Sequence, residues 1–320
     1  MSRIVKTDKT SIQLEEYILD FYKLEHTYMK KKVNAFLVYQ HGELTTKYYK
    51  TPECAHNLYK INSITKSIVS MLIGIAIDKG YISDIHTSIA NWIPNVPEEK
   101  KELTLYHLLT MTTGEEWKEF GNGVVFPNDF VESEDWIKYI LQKPLIEEMG
   151  TKMNYNSGSS HLLSYILQVV TGKTTEQFAR EHLFHPLHIT EYEWQHDPQG
   201  IYVGGFGMKM KAEDLLKIGL LCLQNGDWDG ERIISSRWIE ESSEAHFMTY
   251  EHVGAYGYHW WVVDHERFHI PYCIYFAMGY GGQYIIIVPK LELVAVISSQ
   301  MPKRGLVPLK LFIEYVQEFL

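Results

Sequence analysis

Ser63-Ile64-Thr65-Lys66 opens the apolar run Ile68 to Ile77 and places a hydroxyl and an amine three residues apart. On a helix that spacing puts both side chains on one side, a turn apart, so the amine can reach back to the hydroxyl. Ser63 then stands at the helix N-terminus, where free backbone N–H groups and the positive end of the helix dipole favour an anionic oxygen. A serine hydroxyl alone is a poor nucleophile. A lysine buried beside an apolar helix has its pKa lowered and can act as the base that activates it. The chemistry these two residues suggest is acyl transfer. Ser-x-x-Lys is nevertheless short enough to arise by chance, and a serine at this place also serves as a simple N-cap, so the rest of the chain has to decide.

Two further stretches carry suitable groups. Tyr155-Asn156-Ser157, after Gly150 and ahead of a helix over 162–170, presents a tyrosine on a turn, and a phenol can pass a proton to a leaving group. Met278-Gly279-Tyr280-Gly281-Gly282-Gln283 lies between two strands. Glycines there let a substrate approach an edge-strand backbone and leave an N–H free as an oxyanion donor, unless they only form a β-bulge. Trp117, Phe120, Phe126, Trp260 and Trp261 are candidates for an apolar acyl pocket.

These groups need a rigid frame. The chain has 320 residues, 45% of them hydrophobic, enough for one large domain or two closely packed ones. Positions 11–30 read as an amphipathic helix, Val33 to Tyr49 as a hairpin turning at His41-Gly42, and the Ser63 helix as a core helix ending near Lys79-Gly80. From about Ile82 to His196 the pattern is mainly helical, with breakers from Glu115 to Phe130 marking a wall or lid. A helix over Ala212 to Gln224 is followed by strands over Tyr256–Asp264, Ile274–Met278, Tyr284–Pro289 and Leu293–Gln300, then by an amphipathic helix over Leu309–Leu320. The expected fold is α+β: an antiparallel sheet flanked by N- and C-terminal helices, with an inserted mostly helical domain. Residues 1–80 and 200–320 form the sheet part, 81–199 the helical part, and the active site lies between them.

Several function classes are disfavoured. The formal charge of −10 and the lack of any basic cluster beyond Lys30-Lys31-Lys32 argue against nucleic acid. The Ile68–Ile77 run is too short to cross a bilayer, so no membrane partner is expected. Three cysteines without a Cys-x-x-Cys indicate neither a disulfide framework nor a cysteine zinc site. His182, His185 and His188 have ligand-like spacing, but Pro186 interrupts them, so neither metal nor organic cofactor is expected. Tyr202–Gly207 is glycine-rich without the ending of a phosphate loop. Met1 to Thr10 leads into no apolar signal segment, and a cytoplasmic location is expected.

Ser63-Ile-Thr-Lys66, Tyr155-Asn-Ser157 and Tyr280-Gly-Gly282 together resemble the three motifs of the serine β-lactamase and penicillin-binding protein superfamily. The nearest resemblance is to its class C β-lactamase-like branch of esterases, D-aminopeptidases and 6-aminohexanoate-dimer hydrolases. It extends over roughly residues 30–320, through "LTLYHLLTMTTGEEW", "GTKMNYNSGSSHLLSYIL" and "YGYHWWVV". The resemblance implies an acyl-enzyme mechanism with Ser63 as nucleophile, Lys66 as base and Tyr155 relaying the proton, lysine and tyrosine titrating as a coupled pair. It implies an oxyanion hole from the Ser63 N–H and one from Gly282 or Gln283, and substrate contacts around Ser157, Tyr280, Gly281 and Trp117.

Two positions depart from the family pattern. Ser157 stands where β-lactamases usually have asparagine, and Tyr280 where β-lactamases and carboxypeptidases have lysine. A tyrosine offers no cation to the carboxylate of a penicillin or of a peptide C-terminus. The expected activity is therefore that of an esterase or amidase on a small acyl compound, with little β-lactamase activity. The competing readings are a catalytically silent relative that binds an acyl compound or peptide, and a D,D-peptidase of peptidoglycan peptides. Substrate, ester or amide preference and oligomeric state stay open.

Overall fold

A computed structural model describes residues 32–119, 127–250, 253–263, 268–302 and 304–319. The helix expected over 11–30 lies outside the described residues, as do Phe120, Phe126 and the central part of the expected lid.

The described chain begins with a hairpin of β1 (Val33–Gln40) and β2 (Glu43–Tyr49), turned through positive φ angles at His41 and Gly42. Short β3 (Tyr59–Lys60) leads into α1 (Ile64–Asp78), buried over nearly its whole length. Its all-round burial explains why the sequence shows a continuous apolar run here rather than a one-sided stripe. The helices α2 (Leu105–Thr110), α3 (Asn128–Val131), α4 (Trp136–Leu141), α5 (Ser157–Thr171) and α6 (Thr175–Ala179) follow. Asn156 caps α5 by accepting from Gly158 N and Ser159 N, and Gly172 ends it in the left-handed conformation.

Next come β4 (Glu193–Trp194), β5 (Met208–Met210), α7 (Ala212–Leu223), the small hairpin β6 (Asp227–Trp228) and β7 (Glu231–Arg232), and α8 (Ser236–Ser242). The C-terminal part holds β8 (Phe247–Met248), β9 (Ala255–Tyr256), β10 (Trp261–Val262), β11 (Tyr275–Gly279), β12 (Gln283–Val288), β13 (Leu293–Ser299) and α9 (Val307–Phe319). The strand expected over Tyr256–Asp264 is thus two short strands, separated by a turn in which His259 takes a positive φ of 61°.

One antiparallel eight-stranded sheet runs in the order β2-β1-β13-β12-β11-β10-β9-β8, so the N-terminal hairpin pairs with the last strand. Its central strands are covered on both faces. Leu37, Ile285, Ile287, Val294 and Val296 pack with α1, α5 and α7, whereas Val38, Tyr284, Ile286, Ala295 and Ile297 pack with Leu309, Phe312 and Ile313 of α9. Burial on both faces favours the uninterrupted apolar runs of β12 and β13 over a polar alternation. A second sheet, β3-β5-β4, was not legible in the sequence because its strands have two or three residues each. No helix among the described residues is long and apolar enough to cross a membrane.

Candidate active site

Ser63 precedes the first turn of α1 with φ −71° and ψ −3°, and its side chain caps no backbone N–H, so the hydroxyl is free for other partners. Its own N–H makes no hydrogen bond among the described residues. One turn on, Lys66 is 1% exposed. Its Nζ lies 3.4 Å from Ser63 Oγ, 2.9 Å from Ser157 Oγ and 2.7 Å from the Gly205 carbonyl. Burial lowers its pKa from 10.5 to about 8, against the opposing pull of Glu119. A lysine in that range is a fair fraction neutral near neutral pH.

Tyr155 comes from the segment ahead of α5. Its hydroxyl is hydrogen-bonded to Ser63, and Lys66 Nζ lies 4.8 Å from its ring centroid. The ring stacks on Trp261 at 5.5 Å and meets Tyr256 edge-on, which fixes its plane. Burial carries its pKa well above the usual phenol value, the Ser63 hydrogen bond only partly offsetting this. Tyr155 is therefore a protonated donor across the working range. Ser157, the first residue of α5, accepts from Lys66 Nζ through its hydroxyl oxygen.

The glycine-rich hairpin takes a different part from that expected. Gly281 and Gly282 have φ of 86° and 85° and form the turn between β11 and β12. The Gly282 N–H donates to the Gly279 carbonyl at 3.2 Å, and Gln283 is paired with Gly279 in the ladder and bonded through its side chain to Ser298 and Ser299. Neither N–H is therefore available as an oxyanion donor. Tyr280 sits at the hairpin tip, 44% exposed, its carbonyl held by Asn62 Nδ2 at 2.7 Å.

The strand before the turn passes against Ile61, two residues ahead of Ser63. A Cβ on Gly279 would lie 2.1 Å from the Ile61 carbonyl, so only glycine lets β11 cross the Ile61–Ser63 turn this closely. Val263 N–H donates to the Ile274 carbonyl at 2.8 Å, and Trp261 is in register with Phe276. By strand alternation the N–H groups of Ile274, Phe276 and Met278 face β10. His259, opposite Met278 by that register, is turned away, its N–H donating to Leu109 and Gly257. The Met278 N–H thus faces an edge where no strand continues among the described residues.

Trp117 also differs from expectation. It is packed edge-on against Phe130 at 5.3 Å and against Gly158, in the core, and its indole N–H donates to Glu119 at 2.6 Å. Trp260 is buried against Tyr275, while Trp261 backs Tyr155. Glu119, Gly205 and Met278 escaped the sequence reading. Glu119 is one acid among three from Glu115 to Glu119, and backbone groups such as the Gly205 carbonyl and the Met278 N–H leave no side-chain signature. The pair Gly204-Gly205 was the one available hint, since a Cβ on Gly204 would strike the Ser160 carbonyl at 1.9 Å. Among the described residues no group of three or more His, Cys, Asp or Glu side chains is placed to hold a metal ion.

A family model described as Beta-lactamase matches residues 21–309. The chain belongs to the Beta-lactamase family. Within that family of serine hydrolases it is 24% identical, over 306 residues, to the 6-aminohexanoate-dimer hydrolase of Paenarthrobacter ureafaciens, covering 87% of this chain and 75% of the relative. Among solved structures it is similar in fold to EstCE1, a hydrolase with promiscuous acyltransferase activity, at TM-score 0.79 and 16% identity over 97% of this chain and 100% of that one. It is likewise similar to a class C β-lactamase from Rhodobacter sphaeroides, at TM-score 0.70 and 16% identity, with 97% and 99% covered. Both structural likenesses carry the α+β fold of an antiparallel sheet with packed helices.

Proposed function

We propose that this Beta-lactamase family member is a serine hydrolase that works through an acyl-enzyme on Ser63 and acts on esters or amides of small acyl compounds. The observation that carries this reading is the buried Lys66 amine, its pKa down to about 8, within 3.4 Å of a serine hydroxyl at a helix N-terminus. Lys66 takes the Ser63 proton as the serine oxygen bonds to the acyl carbon. Tyr155, protonated and hydrogen-bonded to Ser63, hands a proton to the leaving group and helps activate the deacylating water. That division favours lysine over tyrosine as the primary base. The N–H groups of Ser63 and Met278 would receive the developing oxyanion.

The site uses groups from three regions: α1, the segment leading into α5, and the Gly205 loop with β11. That arrangement supports an active site between a sheet part and a helical part. Little β-lactamase activity is expected, because Tyr280 brings no cation for a substrate carboxylate.

The test is release of p-nitrophenol from short-chain p-nitrophenyl esters, and of p-nitroaniline from the matching anilides, by the protein and by Ser63→Ala at equal concentration. Turnover lost on substitution supports the reading. Equal background rates on both substrate types would remove it and bring the silent binder forward.

A further inference from the structure

The hydrogen bonds around Lys66 run in one direction only. Ser157 Oγ lies between Lys66 Nζ, at 2.9 Å, and Glu119 Oε1, with which it makes a short hydrogen bond. The other Glu119 oxygen accepts from Ser157 N–H at 3.0 Å and from Trp117 Nε1 at 2.6 Å. Glu119 is 6% exposed, and its carboxylate can only accept. The single Ser157 proton is therefore committed to Glu119, and toward Lys66 the Ser157 oxygen can only accept. The Gly205 carbonyl, 2.7 Å from Nζ, also only accepts. A neutral lysine amine has two N–H bonds and one lone pair. Ser157 and Gly205 take both N–H bonds, and the lone pair is left for the third neighbour, Ser63 Oγ.

We infer that Glu119 is a positioning residue for acyl transfer: by fixing the direction of the Ser157 proton it leaves the Lys66 lone pair aimed at Ser63, and its charge steadies the ammonium formed there. The inference rests on the serine-hydrolase reading given above. In the step concerned the Ser63 O–H bond breaks and its proton joins the Lys66 lone pair. The electron pair left on the serine oxygen forms the bond to the acyl carbon. Ser157 and Glu119 exchange no proton; they hold the acceptor that the new ammonium donates to.

The other titratable groups facing Lys66 are Tyr155, ahead of α5, and His259, in the turn between β9 and β10. From α5 and the Gly205 loop come only a hydroxyl and a carbonyl. Burial, with the Lys66 charge, lowers His259 to about 3, and burial raises Tyr155 far above neutral pH. Neither changes charge in the range where Lys66 does. The Glu119 carboxylate raises the Lys66 pKa against burial, so its removal moves Lys66 to lower pH.

The experiment compares Glu119→Gln, Glu119→Asp, Ser157→Ala and the double variant Glu119→Gln/Ser157→Ala with the unaltered protein. Two readouts are taken: the pH profile of kcat/KM on a p-nitrophenyl ester, and the titration of Lys66 followed by the NMR signal of its labelled ε-carbon, assigned by its loss in Lys66→Met. Glutamine can donate to Ser157 and turn its proton onto the lone pair. Glu119→Gln is therefore expected to lower kcat/KM by about 10²-fold, a typical general-base contribution, and to move both titrations to lower pH. Glu119→Asp keeps the charge and loses reach, so turnover falls while the Lys66 titration stays near its starting position. Once Ser157→Ala has removed the intermediary, adding Glu119→Gln should change kcat/KM by less than about threefold, the non-additivity expected of members of one network.

Glu119→Gln with unchanged turnover and an unmoved Lys66 titration overturns the inference. So does full additivity in the double variant. The NMR titration needs no turnover, so an inactive protein whose Lys66 signal still responds to Glu119→Gln would sink the hydrolase reading and keep the linkage. An active protein whose signal does not respond would do the reverse.

Discussion

Lys66 Nζ lies closer to the hydroxyl of Ser157, at 2.9 Å, than to that of Ser63, at 3.4 Å. The amine is thus anchored by the first residue of α5 and only approaches its proposed substrate, the Ser63 proton. Resting-state contacts of this kind tighten when the acyl compound is bound. The anchoring also keeps Lys66 away from water, which is the main cause of its lowered pKa.

The rate of acylation should follow the neutral form of Lys66. With its pKa lowered to about 8, kcat/KM for a p-nitrophenyl ester is expected to fall about tenfold per pH unit well below 8 and to level above it. Lys66→Arg keeps a cation that does not lose its proton, and should lose activity by roughly 10²- to 10⁴-fold at every pH. A profile with no acid limb between about pH 6 and 9 would remove Lys66 as the base.

The same shift bears on stability. Lys66 has a folded-state pKa of about 8, below the 10.5 of a free lysine, so between those values the unfolded chain binds more protons and stability rises with pH. The contribution is fully present above about 10.5 and is lost as pH falls through about 8. Its size is about 3 kcal/mol, from roughly 1.4 kcal/mol for each pH unit between the two pKa values. Lys66→Met lacks this titration. The stability of Lys66→Met relative to the unaltered protein should therefore decline by about 3 kcal/mol between pH 7 and 10.5, read from urea unfolding of both. A constant difference across that range would show that Lys66 is solvated in the folded state.

How much of this was legible beforehand follows from where the information lies. Ser63, Lys66, Tyr155 and Ser157 sit on or beside long helices whose apolar patterns are plain, and the structure does bring them together. The hairpins and long strands announce themselves by turn residues and apolar runs, as at His41-Gly42 and over Tyr284–Val288. The second oxyanion donor, expected at Gly282 or Gln283 and proposed here at Met278, is the least legible part of the site. Gly282 looks permissive in sequence, but whether its N–H is free depends on pairing with Gly279, a property of register rather than composition. Trp117 looked like a pocket aromatic because burial and pocket lining call for the same residue type. Its Glu119 partner was invisible because one acid in an acidic loop carries no signal until a fold puts Ser157 beside it.

Lys100 and Glu115 form an ion pair in which neither side chain reaches solvent. Lys100 also donates to the Ile140 carbonyl at 3.1 Å, and Glu115 accepts from Thr113 Oγ1 at 3.2 Å and Asn156 Nδ2 at 3.3 Å. The pair thus ties α4 to the residue between Tyr155 and Ser157. Burial raises the Glu115 pKa above the usual carboxylate value, and the Lys100 charge opposes that rise. Lys100→Met should cost about 3–5 kcal/mol at pH 7, since it leaves a buried carboxylate without its cation. Lys100→Met/Glu115→Leu should recover most of that loss. Denaturant unfolding of the three proteins decides it: a loss under about 1 kcal/mol in the single variant would mean that water reaches Glu115.

Gly279→Ala separates site geometry from stability. The added Cβ would meet the Ile61 carbonyl at 2.1 Å, a backbone atom that cannot swing aside as a side chain can. Either the end of β11 or the Ile61–Ser63 turn must shift, and both carry proposed oxyanion donors. A displacement of about 1 Å at a reacting group can lower the rate about 10²-fold. The strain itself costs about 1–3 kcal/mol, because the rest of β11 remains paired with β12. Thermal unfolding and ester turnover measured on the same preparation should therefore part company, with most of the protein folded and most of the activity gone. An activity loss no larger than the unfolded fraction would show that the contact of β11 with the Ile61–Ser63 turn is structural alone, and would move the second oxyanion donor away from Met278.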